Sequence, residues 1–133
     1  MNSLAPNTPR PALIHPGFSH ACAAARAMLA APEALVKGAM VFDGGDGVYK
    51  PYGFSDGIAV IGVYGYLTDC FPYWGNRYVT GYDALRVQYG AALADDEVKG
   101  VIFDHDSYGG LVSGCFDFVD WALDAKKASG KPT

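Results

Sequence analysis

The sequence predicts an α/β fold built on a parallel sheet, and three observations carry that reading. Two apolar, β-branched runs, Ile58–Leu67 and Val98–Asp104, have the length and composition of buried strands. Each is followed by a stretch with apolar residues at helical spacing, 80–96 and Ser113–Ala128. The links between them are short, so strand, helix, strand, helix reads as right-handed crossovers joining parallel strands.

The elements follow in chain order. Met1–Pro16 contains Pro6, Pro9, Pro11 and Pro16 and reads as a proline-broken arm, mobile or docked on a partner. Phe18–Ala31 is alanine-rich and predicts a helix with Ala23, Ala24, Ala27, Met28 and Ala31 on one side. Pro32 interrupts it and can start a short turn over Glu33–Lys37. Ala39–Phe42 predicts a short strand. Asp43-Gly-Gly-Asp-Gly47 then predicts a hairpin turn, not a calcium loop, because the alternating oxygen ligands and closing Glu are missing.

Ile58–Leu67 is apolar on both faces, as a strand covered by helices must be. Residues 68–79 hold Phe71, Pro72, Tyr73, Trp74 and Gly75 and form an aromatic loop. Either its rings pin the loop, or they wall a substrate groove or a subunit contact. Thr80 is placed to cap the next helix, with Asp83 in the favourable first turn. Tyr82, Leu85, Tyr89 and then Ala92 or Leu93 form its inward stripe.

Val98–Asp104 is the second strand, and Gly109-Gly110 is expected to turn the chain out of it. Ser113 can cap the last helix. Phe116, Val119 and Leu123 make one stripe of that helix, and Phe118, Trp121 and Ala125 a second, which predicts burial on two sides. Lys126, Lys127 and Lys131 suit the negative end of its dipole, and Gly130 and Pro132 stop it.

Composition narrows the function. The 133 residues suit one domain, and with half of them hydrophobic they do not read as disordered. A net charge of −4 without a Lys/Arg cluster argues against non-specific nucleic-acid binding. Cys22, Cys70 and Cys115 are odd in number and far apart, so neither a disulfide framework nor a zinc motif is expected, and a reducing setting fits. His15, His20 and His105 are too scattered for a metal site. Met1–Pro16 lacks the apolar core of a signal peptide, and no window reaches the roughly 20 apolar residues of a membrane span.

The ordered pieces Ile58-Ala-Val-Ile-Gly-Val-Tyr-Gly-Tyr-Leu67, Thr80-Gly-Tyr-Asp83, Val98-Lys-Gly-Val-Ile-Phe-Asp104 and Asp106-Ser-Tyr-Gly-Gly110 resemble the protease IV / signal peptide peptidase family. Within it they are similar to the phage head-maturation proteases of the minor capsid protein C type. The resemblance runs from about Ile58 to Pro132, with Tyr108 standing where the family has Pro. It implies a ClpP/crotonase-like fold of repeated ββα units, incomplete at the C-terminus. It divides the chain into an arm (1–16), a helical and hairpin lead-in (17–57) and the N-terminal half of a peptidase domain (58–133). It further implies peptide-bond hydrolysis by a Ser nucleophile and a Lys base, without cofactor or metal. The substrate would be a polypeptide: a capsid, portal or scaffold protein, or a signal peptide. A homo-oligomer or a missing C-terminal half is expected, in the cytoplasm or the phage head, with no nucleic-acid partner and no membrane span.

By resemblance, the backbone N–H groups of Gly109 and Gly110 form the oxyanion hole. No residue of the chain matches the nucleophile or base positions. The chain alone is therefore expected to be inactive, and substitution of Gly110 is expected to harm chemistry more than folding. Ser107 is expected to cap local N–H groups instead of attacking a substrate. Strand alternation puts Asp104 and Asp106 on one face and His105 on the other, which separates the apparent dyad. Cys115 reads as a small apolar residue. The alternative is a non-catalytic capsid assembly or scaffold subunit using the same fold. Relatedness to acyl-CoA-processing crotonases is a weaker third reading.

Overall fold

In a computed structural model of the chain, residues 12–29, 50–71, 73 and 77–133 are described. They form β1 (Ala12–Ile14), a 3-10 turn (Pro16–Phe18), α1 (Ser19–Leu29), β2 (Gly53–Ser55), β3 (Ile58–Thr68), β4 (Val79–Gly81), α2 (Tyr82–Ala94), β5 (Gly100–Leu111) and α3 (Cys115–Ser129). The sheet runs β1-β5-β3-β2, with β4 also paired to β3.

The parallel core of this sheet follows the expectation. β3 and β5 pair parallel from Ile58↔Gly100 to Leu67↔Gly110, and β3 and β4 pair parallel as well. The margins do not: β1 on β5 and β2 on β3 are antiparallel, so the sheet is mixed. β2 exists because Asp56 and Gly57 both take positive φ, 51° and 82°, which closes a two-residue hairpin onto Ile58. Asp-Gly before an apolar run is the sequence signal for that hairpin, and the sequence reading overlooked it, placing its hairpin turn at Asp43–Gly47 instead.

Alternation along β3 sends residues to two clusters. Ala59, Ile61 and Val63 meet Tyr82, Leu85, Tyr89 and Ala92 of α2. Tyr66 meets Phe71, Val79, Leu111 and, from α1, Cys22 and Ala25. Full burial of one such aliphatic side chain is worth about 1.5–3 kcal/mol, so the first and larger cluster fixes how α2 lies on the sheet.

Several local expectations are corrected. α2 begins at Tyr82 with Gly81 as N-cap and no side-chain cap. Thr80 is buried in β4, where its Oγ1 accepts from the Tyr64 N–H and donates to the Tyr64 carbonyl, both at 2.8 Å. A hydroxyl committed to the neighbouring strand cannot cap a helix. Asp83 takes over part of that work, accepting from the N–H groups of Phe71 and Ala84. Gly114, at φ 82°, precedes α3 in place of Ser113. At the other end Gly130 caps as expected, its N–H donating to the Lys126 carbonyl at 3.0 Å.

In α1, Cys22 and Ala25 are buried while Ala23 and Ala24 are exposed. A methyl group gains little by burial, so an alanine stripe competes weakly for the inward face. No described residue of α3 is buried. Phe118 and Trp121 lie against Tyr82 and Tyr89 of α2, but Phe116, Val119 and Leu123 are exposed, Phe116 to 67%. Among the described residues α2 is the helix that packs against Phe118 and Trp121 of α3, so one stripe is half covered and the other open.

The turn at Glu33–Lys37, the strand at Ala39–Phe42 and the turn at Asp43–Gly47 lie outside the described residues, as do Pro72, Trp74 and Gly75. Part of the expected arm, residues 12–16, is docked on the protein's own sheet. No helix among the described residues is long and apolar enough to cross a membrane.

A polar latch ties the segment before β2 to the loop after α2. The buried Lys50 ammonium donates to Asp95 and, at 2.7 Å, to Glu97; the Tyr52 hydroxyl donates to Asp95 at 2.6 Å. Lys50 first, then Tyr52, hold the Asp95 carboxyl down to about 2 from an ordinary 3.8. Asp95, then Glu97, hold the Lys50 ammonium above its ordinary 10.5.

The depressed carboxyl contributes stability above pH 3.8 that is lost as pH falls toward 2. The raised ammonium contributes stability below pH 10.5 that is lost above it. Thermal melting should therefore be flat between about pH 4 and 10 with respect to this latch. Lys50→Gln should shallow the acid limb, and an unchanged limb would show that the latch adds nothing.

Candidate functional site

Gly109 and Gly110 do not form a turn. They lie inside β5, between β3 on one side and β1 on the other. The turn follows at residues 112–114. Pairing on both edges draws the glycines into the sheet, and this is what their sequence context concealed.

The ladder skips one residue just before them. Gly65 pairs with Ser107, but Tyr66 pairs with Gly109, which leaves Tyr108 as the extra residue of a bulge. Gly109 follows at φ 105°, where a side chain would be strained and would strike the Leu13 carbonyl. At Gly110 a β-carbon would overlap the main chain of Leu67. Both positions need glycine because two strands close on them from opposite sides.

Ser107 acts locally, as expected. Its Oγ donates to the Gly65 carbonyl at 2.6 Å and accepts from the Gly109 N–H at 3.2 Å. Tyr108 fastens the bulge to the N-terminal segment. Its ring stacks on Phe18 at 5.5 Å, its hydroxyl donates to the Ala21 carbonyl at 3.1 Å, and its carbonyl accepts from the His15 N–H at 3.1 Å. Burial pushes this phenol above its ordinary value.

His105 and Asp104 are separated as strand alternation requires. Asp104 accepts from the Tyr64 hydroxyl at 2.7 Å, and this bond raises the Tyr64 phenol. His105 stands with Phe103 on the other face, 6.2 Å between ring centres. There it lines a cavity of about 340 Å³ between the sheet, α2 and α3, together with Phe103, Cys115, Phe118 and Leu123. Sequence reading missed this cavity, because its walls come from four separated elements. Cys115 is partly buried beside Tyr82, whose phenol is raised by burial first and the nearby sulfur second.

Lys50, Lys126 and Lys131 bond carboxylates or backbone carbonyls, so none of the three is seen activating a serine. Among the described residues no group of three or more His, Cys, Asp or Glu could hold a metal ion.

The chain is similar in sequence to two phage proteins. It is 33% identical to the Head-tail preconnector protein GP5 of Enterobacteria phage P21, in an alignment covering 83% of this chain and 25% of that protein. It is 36% identical to the Capsid assembly protease C of Escherichia phage lambda, over 69% of this chain and 21% of that protein. The chain thus spans about a quarter and a fifth of these relatives. No family model and no solved structure matches it.

Proposed function

We propose that these residues are the oxyanion-bearing part of a serine peptidase of the phage head-maturation type, working on capsid, portal or scaffold proteins within the cell or the assembling head. The similarity to Capsid assembly protease C carries this reading. The protease IV resemblance adds the finer expectation of a ClpP/crotonase-like domain over 58–133 and a Ser/Lys mechanism. A serine hydroxyl attacks the peptide carbonyl, a desolvated lysine takes its proton, and the Gly109 and Gly110 N–H groups receive the developing oxyanion. Each such donor is worth roughly 3–4 kcal/mol in the transition state. The Gly109 N–H would have to leave Ser107 Oγ for that role. No residue of these 133 is assigned as nucleophile or base.

The 133-residue chain should remain unlabelled by a fluorophosphonate and leave a co-expressed scaffold protein uncut. In its native genomic frame the protein should be labelled and should cut the scaffold protein. Silence there would remove the peptidase reading. Labelling of the 133 residues that vanishes in Ser107→Ala would make Ser107 the nucleophile. The preconnector name of the first relative and the open stripe Phe116, Val119, Leu123 favour a second reading, a non-catalytic capsid assembly subunit. Co-sedimentation with head proteins without any labelling would select it.

A further inference from the structure

β1 covers β5 at the two glycines. Ile14 pairs with Gly109, Leu13 with Gly110 and Ala12 with Leu111, antiparallel. The Leu13 carbonyl sits so close to Gly109 that any side chain there would strike it. A peptide carbonyl is therefore packed against the side-chain side of Gly109, while the N–H of that residue is held by Ser107 Oγ.

The three strand residues are themselves lightly held, although His15 just after them donates its N–H to the Tyr108 carbonyl at 3.1 Å. Ala12 is exposed, Leu13 is 72% exposed, and Pro16, which lacks an N–H, ends any continuation along β5. Only Ile14 is partly buried, against the cluster of Tyr66, Leu111, Cys22 and their neighbours. Three residues with one anchored side chain make a poor permanent edge strand. They resemble an extended peptide added to a sheet, where the backbone gives affinity and one pocket gives selectivity.

We infer that Ala12–Ile14 is an intramolecular stand-in for a peptide substrate, exchangeable for an extended segment that places a branched aliphatic side chain in the Ile14 seat. The inference rests on the peptidase reading for its meaning, since that reading makes the glycine edge a peptide cleft. Peptide binding itself requires neither nucleophile nor base.

The test uses the whole chain and a fluorescein-labelled peptide, Pro-Ala-Leu-Ile-His-Pro-Gly. Leu13→Pro removes a strand N–H and should free the edge. Ile14→Asp empties the seat while keeping every backbone donor. Both variants should bind the peptide at least tenfold more tightly than the unaltered chain, whose own strand competes. Amide exchange at Gly109–Leu111 should quicken at least tenfold in both and slow again with peptide. A peptide carrying Asp in place of Ile should not bind.

Equal binding by all three proteins, or by both peptides, would overturn the inference. So would loss of cooperative melting in both variants, because β1 would then be a fixed structural strand. Binding as expected beside a native-frame protein that cuts nothing would sustain the cleft and sink the peptidase. Cleavage without peptide binding would do the reverse.

Discussion

Gly110→Val should unfold much of the chain before any effect on chemistry can be read. A β-carbon at this position overlaps the Leu67 carbonyl oxygen, nitrogen and Cα, all backbone atoms of the neighbouring strand. They cannot yield without parting β3 from β5 at Leu67↔Gly110. A loss of about 3–5 kcal/mol is expected, a large part of a small domain's stability. In a thermal melt this is roughly 10–20 °C. Gly110→Ala carries the same β-carbon and should lose nearly as much. A melting temperature unchanged in both would show that the strands do not approach this closely. The expectation that substitution here spares folding is thereby reversed, and loss of turnover at Gly110 would not by itself report on an oxyanion hole.

Tyr89→Ala should be the most damaging truncation in the larger cluster. Tyr89 is almost fully buried, with Phe103 of β5 at 5.0 Å and Trp121 of α3 at 6.1 Å between ring centres. Its hydroxyl bonds the Thr133 hydroxyl at 2.9 Å. One ring thus joins the sheet, both of the helices on that face and the residues after α3. Its removal should cost about 3–5 kcal/mol and enlarge the cavity beside His105. Denaturant unfolding gives the loss directly, and a cost below about 1 kcal/mol would mean that the neighbours collapse into the gap. Tyr89→Phe, which keeps the ring and drops the hydroxyl, should cost far less.

What was legible in the sequence was what period and composition alone decide. The stripe Tyr82, Leu85, Tyr89, Ala92 is buried along α2, and Ile58–Leu67 is a strand, but only its α2 face is buried throughout: on the other face Val60 is exposed, as is Ile102 beside it on β5. What was not legible depended on neighbours distant in sequence. Thr80 has the chemistry of a cap, but a strand sixteen residues earlier claims its hydroxyl. Gly109-Gly110 has the chemistry of a turn, but β1, nearly a hundred residues upstream, pairs with it. An apolar stripe such as Phe116, Val119, Leu123 reads the same whether or not a neighbour covers it. For the candidate site, the local role of Ser107 and the separation of His105 from Asp104 followed from short-range rules. The peptide-like seat of β1 and the cavity beside His105 did not, since each is assembled by the fold.

The bulge at Tyr108 bears on which sequences the strand can accept. A residue that has no partner in β3 contributes no rung to that ladder, so an imino acid there removes no bond between the two strands. Tyrosine and proline, so unlike as side chains, are then two answers to one backbone demand at this place. Proline stiffens the approach to the glycines from within the chain. Tyrosine does so from outside, by reaching its ring to Phe18 and its hydroxyl to Ala21. A chain that makes the second choice ties its glycine edge to the orientation of its first helix, and variation in that helix becomes variation at the edge.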